Sequence, residues 1–226
     1  MSQAKQTHGA LFIIGAGPGI GLAVAERFGR EGSKIVLSSR NPKRLDPLVA
    51  ALVGKGIDAH GLVLDATDAA ALRTAMRNAD RMTGGLTAVL YNAANVRQQD
   101  LSAMTDAEVE GDVAVNITGA LHAIRAAQAL FAASGGTILV TGGGLAVTPH
   151  ASYASLGLGK AALRNLVQGL AAPLAAQDIR IGIATIATLV AAGSPEALGA
   201  AEAIWSLATA EAAPGAAPWE ITYPTA

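Results

Sequence analysis

Tyr153 and Lys160 are the two residues of this chain whose types and spacing could carry acid–base chemistry. They stand seven positions apart, close to two turns of an α-helix, so both side chains share a face if the segment from Tyr153 onwards is helical. A phenol can protonate a developing oxyanion, and a neighbouring ammonium stabilises the tyrosinate and lowers the pKa of that tyrosine. The pair therefore indicates a site for general acid catalysis.

His150 and Ser152 immediately precede this pair and offer a second interpretation. A histidine near neutral pH can donate a proton, so His150 is an alternative acid. A solvated loop position for His150 and an N-cap role for Ser152 explain the same residues more simply. The remaining histidines show no ligand spacing with Asp or Glu, so no metal is predicted.

A glycine-rich turn near the N-terminus provides the second chemical signal. Gly15, Gly17, Gly19, Ile20 and Gly21 follow a short apolar run and open an amphipathic helical pattern. Glycine lets the backbone approach a pyrophosphate closely, and the start of a helix favours negative charge. The turn therefore predicts dinucleotide binding.

The residues after the second apolar run discriminate between dinucleotides. Ser39 and Arg40 stand where an acidic residue would accept the ribose hydroxyls of NAD. A guanidinium can pair with a 2′-phosphate, and Lys43 and Arg44 are further candidates, so the sequence favours NADP(H) over NAD(H). Arg40 as a solvated loop charge is the alternative. Asp65 could accept a hydrogen bond from the adenine amino group or cap the following helix.

Short apolar runs alternate with longer alanine-rich segments of helical period, as in βαβ units. The runs lack polar alternation, which predicts strands buried on both faces. The predicted strands are Ala10–Ile14, Lys34–Ser39, Asp58–Leu64, Ala88–Tyr91, Thr137–Thr141, Arg180–Thr185 and Trp219–Thr222. The predicted helices are Ile20–Arg30, Lys43–Gly54, Asp68–Met82, Asp106–Ala133, Ser152–Gln177 and Pro195–Ala208. The pattern predicts a doubly wound Rossmann-type α/β fold with a seven-stranded parallel sheet, whose ligands lie beyond the carboxyl ends of the strands.

Composition narrows the class of protein. The chain of 226 residues is 51% apolar and 15% charged, which excludes disorder, and its apolar runs are too broken for a membrane span. A net charge of -1 gives no argument for nucleic acid, and the lack of cysteine excludes disulfides. Met1–His8 is polar without a signal-peptide-like stretch, so a cytoplasmic location is expected. One domain over residues 1–226 is predicted, with a linker-like stretch only at Glu211–Pro218.

Five motifs occur in order along nearly the whole chain. They are Gly15-Ala-Gly-Pro-Gly19-Ile-Gly21, Leu64-Asp65, Tyr91-Asn92-Ala93-Ala94, Val115-Asn116-Ile-Thr-Gly119 and Lys160-Ala161-Ala162. Through them the chain resembles the short-chain dehydrogenase/reductase family. The resemblance implies that Asn92 and Ala93 lie beside the cofactor, that Asn116 anchors a water leading to Lys160, and that Lys160 grips the nicotinamide ribose.

The chain departs from that family pattern on the substrate side. Leu156 occupies the usual tyrosine position four residues before the lysine, and Gly142, Gly143 and Gly144 stand where a substrate-polarising serine is expected. Thr141 is the nearest hydroxyl, at the predicted end of a strand. The segment near 186–195 lacks the usual Pro-Gly and reaches the next helix quickly, which predicts a shortened cover over the substrate.

The tyrosine–lysine spacing is similar to that of a divergent branch of the family, the enoyl-acyl carrier protein reductases. That branch has tyrosine seven residues before lysine, with a bulky apolar residue where Leu156 stands here. Gly157-Leu158 and Lys160-Ala161 match as well. The glycine turn instead follows the ordinary family spacing, and Gly143 stands where the branch would supply a second tyrosine. The likeness is therefore local.

Together these features predict an NADP(H)-dependent oxidoreductase that transfers hydride to or from a small carbonyl or conjugated enone or enoyl substrate. Tyr153, Lys160 and Asn116 form its predicted catalytic set. The alternatives are a catalytically degenerate dinucleotide-binding sensor or partner subunit, and a scaffold without cofactor. The alanine-rich helices 106–133 and 152–177 predict a homodimer or homotetramer, because the family resemblance implies pairing across a two-fold axis. Packing of the same helices on the sheet is the alternative explanation of their composition.

Overall fold

Seven parallel strands form one sheet in the computed structural model, which describes residues 9–210 and 218–224. The strand order is β3-β2-β1-β4-β5-β6-β7, so the chain starts in the middle of the sheet and winds outwards twice. The strands are β1 (Ala10–Ile14), β2 (Lys34–Ser39), β3 (Ala59–Val63), β4 (Ala88–Tyr91), β5 (Gly136–Thr141), β6 (Ile179–Ile186) and β7 (Glu220–Tyr223). The predicted fold class is confirmed.

Helices cover both faces of this sheet. They are α1 (Ile20–Arg30), α2 (Pro42–Val53), α3 (Ala69–Thr83), α4 (Asp106–Val113), α5 (Gly119–Phe131), α6 (Ala154–Ala175) and α7 (Pro195–Thr209). Helices α1, α2 and α7 pack on the face that carries Leu11 and Ile13 of β1. Helices α3, α5 and α6 pack on the opposite face, which carries Phe12 and Ile14. Alternate residues of one continuous apolar run therefore fill two separate cores.

The two outermost strands differ from the prediction that every strand is buried on both faces. Val63 of β3 is 64% exposed, and no residue of β7 is fully buried. Both strands pair with a single neighbour, because they form the edges of the sheet. An edge strand leaves part of its surface to solvent whatever its composition, so the prediction was wrong for these two strands.

The helix predicted over 106–133 is continuous in direction but not in type. Thr105 caps α4 through a capping box with Glu108, and residues Ala114–Thr118 then form a π-helical turn before α5. A π turn inserts one extra residue into the helical repeat and is frequent at functional sites. Here the turn contains Asn116, one of the predicted catalytic residues.

The start of α6 also differs from the prediction. Residues Ala151–Tyr153 form a 3₁₀ turn, and α6 begins at Ala154. The side chain of His150 accepts a hydrogen bond from the Ser152 amide at 3.2 Å, so His150, and not Ser152, caps this segment. The predicted features at Met1–His8 and at residues 211–217 lie outside the described residues.

Candidate functional site

A cleft of about 810 Å³ lies at the carboxyl ends of the strands, where a doubly wound sheet binds its ligands. It is continuous from the glycine-rich turn after β1 to the start of α6. The lining residues are Gly15, Ala16, Gly17, Ile20, Gly21, Ser39, Arg40, Arg44, Leu64, Asp65, Ala66, Asn92, Ala93, Ala94, Val96, Val115, Thr141, Gly142, Gly143, Gly144, Leu145, Tyr153, Leu156, Lys160, Ile186, Ala187, Thr188, Leu189 and Val190. One space thus contains both chemical signals found in the sequence.

The glycine turn is shaped by backbone crowding. Gly15 has a φ of +87°, and a Cβ built there would lie 2.4 Å from the Cα of Ala93. A Cβ on Gly21 would lie 3.1 Å from the Cα of Ala16, whereas one on Gly17 would meet nothing within 4 Å. Gly19 is the N-cap of α1 beneath Val190 and does not line the cleft.

The N-terminus of α1 is open toward the cleft. Its N-cap makes no side-chain hydrogen bond, and its first turn contains no acidic residue. The unpaired amides and the helix dipole therefore remain available to an anion there. Together with the glycine turn, this end of the cleft has the shape and polarity that a pyrophosphate requires.

Two arginine side chains of the cleft follow β2. Ser39, Arg40 and Arg44 line the space, whereas Lys43, also proposed from the sequence, does not. Asp65 accepts hydrogen bonds from the amide and hydroxyl of Thr67 at 2.9 and 2.8 Å, and these bonds together with the charge of Arg40 lower the pKa of its carboxyl. Asp68 caps the next helix, so the capping role considered for Asp65 is wrong.

A chain of hydrogen bonds joins the glycine turn to Lys160. The Asn92 side-chain amide donates to the Gly15 carbonyl at 2.8 Å, and its oxygen accepts from the Thr141 hydroxyl at 2.9 Å. The Thr141 carbonyl in turn accepts from Lys160 Nζ at 2.7 Å. The Thr141 hydroxyl therefore already donates to Asn92 in this structure.

Lys160 is held among protein atoms at the deep side of the cleft. Removal of the ammonium from water lowers the pKa of Lys160 to about 8. A Cβ on Gly143 would lie 3.3 Å from the lysine Cγ and Cε atoms, so the aliphatic stem runs against this glycine. The position where the sequence lacks a serine is thus occupied in part by the lysine side chain.

Tyr153 lines the same cleft as Lys160 and is partly buried. Its ring contacts that of His150, with the centroids 5.8 Å apart and the planes at 61°. Leu156, which lies between Tyr153 and Lys160 in the sequence, is 7% exposed and also lines the cleft. Of the three tyrosines, all in the described part of the chain, Tyr91 is buried with its hydroxyl on the Val115 carbonyl and Tyr223 belongs to β7.

Asn116 lies behind the cleft. Its oxygen accepts from the Asn95 amide at 2.8 Å, and its side-chain nitrogen donates to the Asn95 carbonyl at 3.1 Å. A Cβ on Gly159 would lie 2.6 Å from the Asn116 Cβ, so this asparagine packs against the residue before Lys160. The water that the resemblance implies between Asn116 and Lys160 stays a prediction.

The buried carboxylate of Asp112 was not predicted from the sequence. Asp112 of α4 is 1% exposed and binds Asn95, Arg97 and Ser155. The one sequence signal for it is a charge between the apolar residues Val109, Val113 and Val115 of a helix. Within residues 9–210 and 218–224, no group of three or more His, Asp or Glu side chains is arranged to hold a metal ion.

Comparison with known proteins assigns the chain to a family. A model of the short chain dehydrogenases matches residues 10–194. An oxidoreductase of Sarocladium schorii, asL5, is 32% identical over 201 residues, which cover 88% of this chain and 80% of that protein. The 2,3-dihydro-2,3-dihydroxybenzoate dehydrogenase of Bacillus subtilis is 32% identical over 183 residues, covering 80% and 70% of the two chains.

Solved structures agree in fold. A short-chain dehydrogenase from Rhodopseudomonas palustris superposes with a TM-score of 0.84 at 23% identity, covering 96% of this chain and 99% of its own. A metagenomic short-chain oxidoreductase in complex with NADP gives 0.83 at 23% identity, covering 94% and 96%. The fold and the cleft define a Rossmann-type α/β protein with an open cleft at the carboxyl edge of its sheet. More narrowly, the chain belongs to the short-chain dehydrogenase family of oxidoreductases.

No helix in residues 9–210 or 218–224 combines the length and the hydropathy that crossing a membrane requires.

Proposed function

We propose that this protein is an NADP(H)-dependent oxidoreductase that transfers hydride to or from a small carbonyl or conjugated enone or enoyl substrate. The observation that carries the proposal is the single cleft that contains the glycine turn, Tyr153 and Lys160. A dinucleotide along the carboxyl edge of the sheet would have its pyrophosphate at the glycine turn and its nicotinamide near Lys160. When bound, the nicotinamide supplies or accepts the hydride.

The protein's own groups fit such a ligand. Gly15, where a Cβ would overlap Ala93, lets the turn pack closely, and the N-terminus of α1 faces the cleft through Ile20 and Gly21. At the other end of the adenosine half, Arg40 is exposed and lines the cleft with Ser39 and Arg44. Arg40 directly after β2 and Arg44 in the first turn of α2, with no carboxylate in either place, support a 2′-phosphate, hence NADP(H) over NAD(H). Asp65 remains as a partner for the adenine amino group.

Tyr153 is the proposed acid. It is the tyrosine that lines the cleft. Lys160 lines the same space from the second turn of α6. The Tyr153 hydroxyl would donate a proton or a hydrogen bond to the substrate oxygen as charge develops on it, and the Lys160 ammonium would stabilise the phenolate that remains. Asn116 supports this lysine from behind, through its packing on Gly159.

The substrate end of the cleft is apolar. Leu145, Leu156 and Ile186 line it, and Val96 and Leu189 stand at its mouth, 72% and 89% exposed. Among the described residues that line this end, Lys160 is the one with a cationic side chain. The short connection between Ile186 and Pro195 leaves the mouth open. These features favour an uncharged, largely apolar substrate.

The test is reduction of a panel of enones, enoyl thioesters and ketones with NADPH, by wild-type protein and by Tyr153→Phe. Loss of the hydroxyl should lower kcat by about 10²–10⁴-fold, because proton transfer in the transition state contributes that much. Tyr223→Phe, which removes a hydroxyl from β7, is the matched control. Turnover that survives Tyr153→Phe unchanged across the panel contradicts the proposed acid. Saturable NADPH binding without turnover would favour the sensor instead.

Assembly into a homodimer or homotetramer through α4, α5 and α6 belongs to the same proposal. Val109, Leu121 and Leu158 project from these helices with 37%, 37% and 58% exposure. Covering them with a second copy would remove apolar surface from water. Light scattering should give a mass of two or four chains, and a monomer mass would contradict this part of the proposal.

A further inference from the structure

The buried carboxylate of Asp112 connects three elements, two of which contribute Val96, Tyr153 and Leu156 to the cleft lining. Asp112 belongs to α4 and is 1% exposed. Its Oδ2 accepts hydrogen bonds from Arg97 Nε at 3.1 Å and from Ser155 Oγ at 2.7 Å. Its Oδ1 accepts from Arg97 Nη2 at 3.3 Å and from Asn95 Nδ2 at 3.2 Å. The segment after β4, helix α4 and the first turn of α6 are thereby joined at one carboxylate.

The same elements hold Tyr153 from both sides along the chain. Before Tyr153, the Gln99 amide donates to the Ser152 carbonyl at 2.9 Å. After Tyr153, the Ser155 hydroxyl donates to Asp112. Arg97 also donates to Gln99 Oε1 at 3.3 Å, so the two attachments share one guanidinium. The tyrosine itself makes no bond in this network, which leaves its hydroxyl free for the cleft.

The network contains a charged pair, Arg97 and Asp112, and both carboxylate oxygens of Asp112 accept hydrogen bonds. Burial alone would raise the pKa of Asp112, but the hydrogen bonds from Arg97, Ser155 and Asn95 and the charge of Arg97 outweigh burial, and the pKa lies below its usual value. Arg97 also pairs with Glu108 at 2.7 Å. Charge-assisted bonds to a planar guanidinium have narrow geometry, so such a network fixes orientation more than it adds stability.

We propose that Arg97, Asp112 and Ser155 form a positioning network that fixes the Tyr153 turn at the mouth of the cleft. The network takes the place of position within a regular helix, because Tyr153 precedes α6 and lies in a 3₁₀ turn. The proposal rests on the proposed function, in which Tyr153 is the acid. Ser155 is the residue through which the network can be loosened without breaking the Arg97–Asp112 pair.

The experiment compares Ser155→Ala with the conservative Ser155→Thr, which keeps the hydroxyl. The matched control is Ser102→Ala, which removes another serine hydroxyl that donates to a carboxylate, Asp100 at 2.6 Å, in the same connecting segment. All variants carry 3-fluorotyrosine, and Tyr153→Phe assigns the Tyr153 resonance among the three tyrosines. The readouts are the ¹⁹F spectrum, kcat and KM for the substrate and for NADPH, and the unfolding midpoint.

In Ser155→Ala the Tyr153 resonance should shift or broaden while those of Tyr91 and Tyr223 stay in place. The kcat should fall about ten- to a hundred-fold with the KM for NADPH unchanged, since misplacement of an acid by about 1 Å has that effect. Ser155→Thr should restore most of kcat, and Ser102→Ala should match wild type. A merely structural role would lower the unfolding midpoint and leave kcat and the fluorine spectrum of the folded protein unaltered.

The outcomes separate this proposal from the proposed function. If Tyr153→Phe lowers turnover and Ser155→Ala does not, the positioning network is wrong and the acid stands. If Tyr153→Phe has no effect on turnover, the proposed acid is wrong, and the ¹⁹F spectrum alone decides whether Ser155 fixes the Tyr153 ring. An unmoved Tyr153 resonance in Ser155→Ala overturns the network in either case.

Discussion

The two halves of the cleft are built on different principles. In the glycine-turn half, between Gly15 and the end of β2, the residue types follow from backbone space: a Cβ on Gly15 would overlap Ala93. In the lysine half, beyond β5 and β6, the reactive side chains Tyr153 and Lys160 share the cleft with mainly apolar residues and glycine. The first half binds through its main chain, and the second acts through two side chains.

This difference shows where such a protein can change. The family pattern is intact in the glycine-turn half, where a Cβ on Gly15 or Gly21 would meet backbone. It is altered in the lysine half, at Leu156 and at Gly143, where a Cβ would meet the flexible Lys160 side chain. Gly142 and Gly144 have packed surroundings of their own, since their Cβ atoms would lie 2.8 Å from Ile183 and 3.0 Å from Ala187. The glycine run is thus part of the packing and does not leave an empty serine site.

The largest expected effect concerns the glycine turn. Gly15→Ala should lower the free energy of unfolding by about 1–3 kcal/mol from the positive φ alone, more from overlap with Ala93, and abolish NADPH binding. Gly17→Ala, with nothing within 4 Å of its Cβ, should change stability by about 0.5 kcal/mol or less. Urea unfolding and fluorescence titration check both. Equal effects of the two variants would contradict the view that backbone space determines the glycine-turn half.

The second prediction concerns Lys160. Burial lowers its pKa to about 8 from 10.5, so between these pH values the unfolded chain holds a proton that the folded chain has released. Stability referred to Lys160→Met should therefore rise as pH increases from 8 to 10.5, by up to about 3 kcal/mol. Urea midpoints of wild type, Lys160→Met and the exposed-lysine control Lys43→Met measure this difference. A pH-independent difference would show that the ammonium is solvated, and the lysine half would lose its buried charge.

The third prediction tests whether the end of β2 reads the 2′-phosphate. Arg40→Ala should weaken NADPH binding about ten- to a hundred-fold and leave NADH binding nearly unchanged, because a charge-assisted hydrogen bond to phosphate contributes about 1.5–3 kcal/mol. Lys43→Ala is the control, since Lys43 is exposed outside the cleft lining. Parallel titrations of both nucleotides decide it. Equal weakening of NADPH and NADH would make Arg40 a general attractor of anions.

The smallest expected effect lies at the mouth of the lysine half. Leu189→Ser should raise the KM for apolar substrates about two- to five-fold, because partial burial of a leucine contributes about 1 kcal/mol or less, with the unfolding midpoint unchanged. Leu198→Ser on α7, 54% exposed and outside the cleft, is the matched control. Steady-state kinetics with ketones of increasing chain length check it. A KM that does not move would place the substrate away from Leu189.

The sequence predicted the central fold closely because local signals determine it. The bounds of β1, β2, β4 and α1 agree with the prediction, since continuous apolar runs and flanking glycines mark their ends. Burial of β3 and β7 was mispredicted, because an edge position follows from strand order across the whole sheet. No local composition records that order.

The site was predictable where residue type and spacing along the chain are enough to indicate chemistry. The spacing of Tyr153 and Lys160 was enough to predict one shared site, and the structure has both in one cleft. The hydrogen bonds around Tyr153 and Lys160 join positions that are distant in the sequence. Ser155 and Asp112 are 43 residues apart, and Thr141 and Asn92 are 49 apart. Such pairs depend on how helices and strands pack, which spacing along the chain does not express.

One amide joins the two halves, with a consequence for how such proteins diverge. Asn92 uses its nitrogen on Gly15 and its oxygen on Thr141, so no aspartate or leucine can satisfy both partners at once. A descendant that abandons reduction and changes at Tyr153 would still lose both hydrogen bonds if it replaced this asparagine. Across related genomes, Asn92 should therefore persist after the chemistry has gone, and its presence records ancestry, whereas the state of Tyr153 records use.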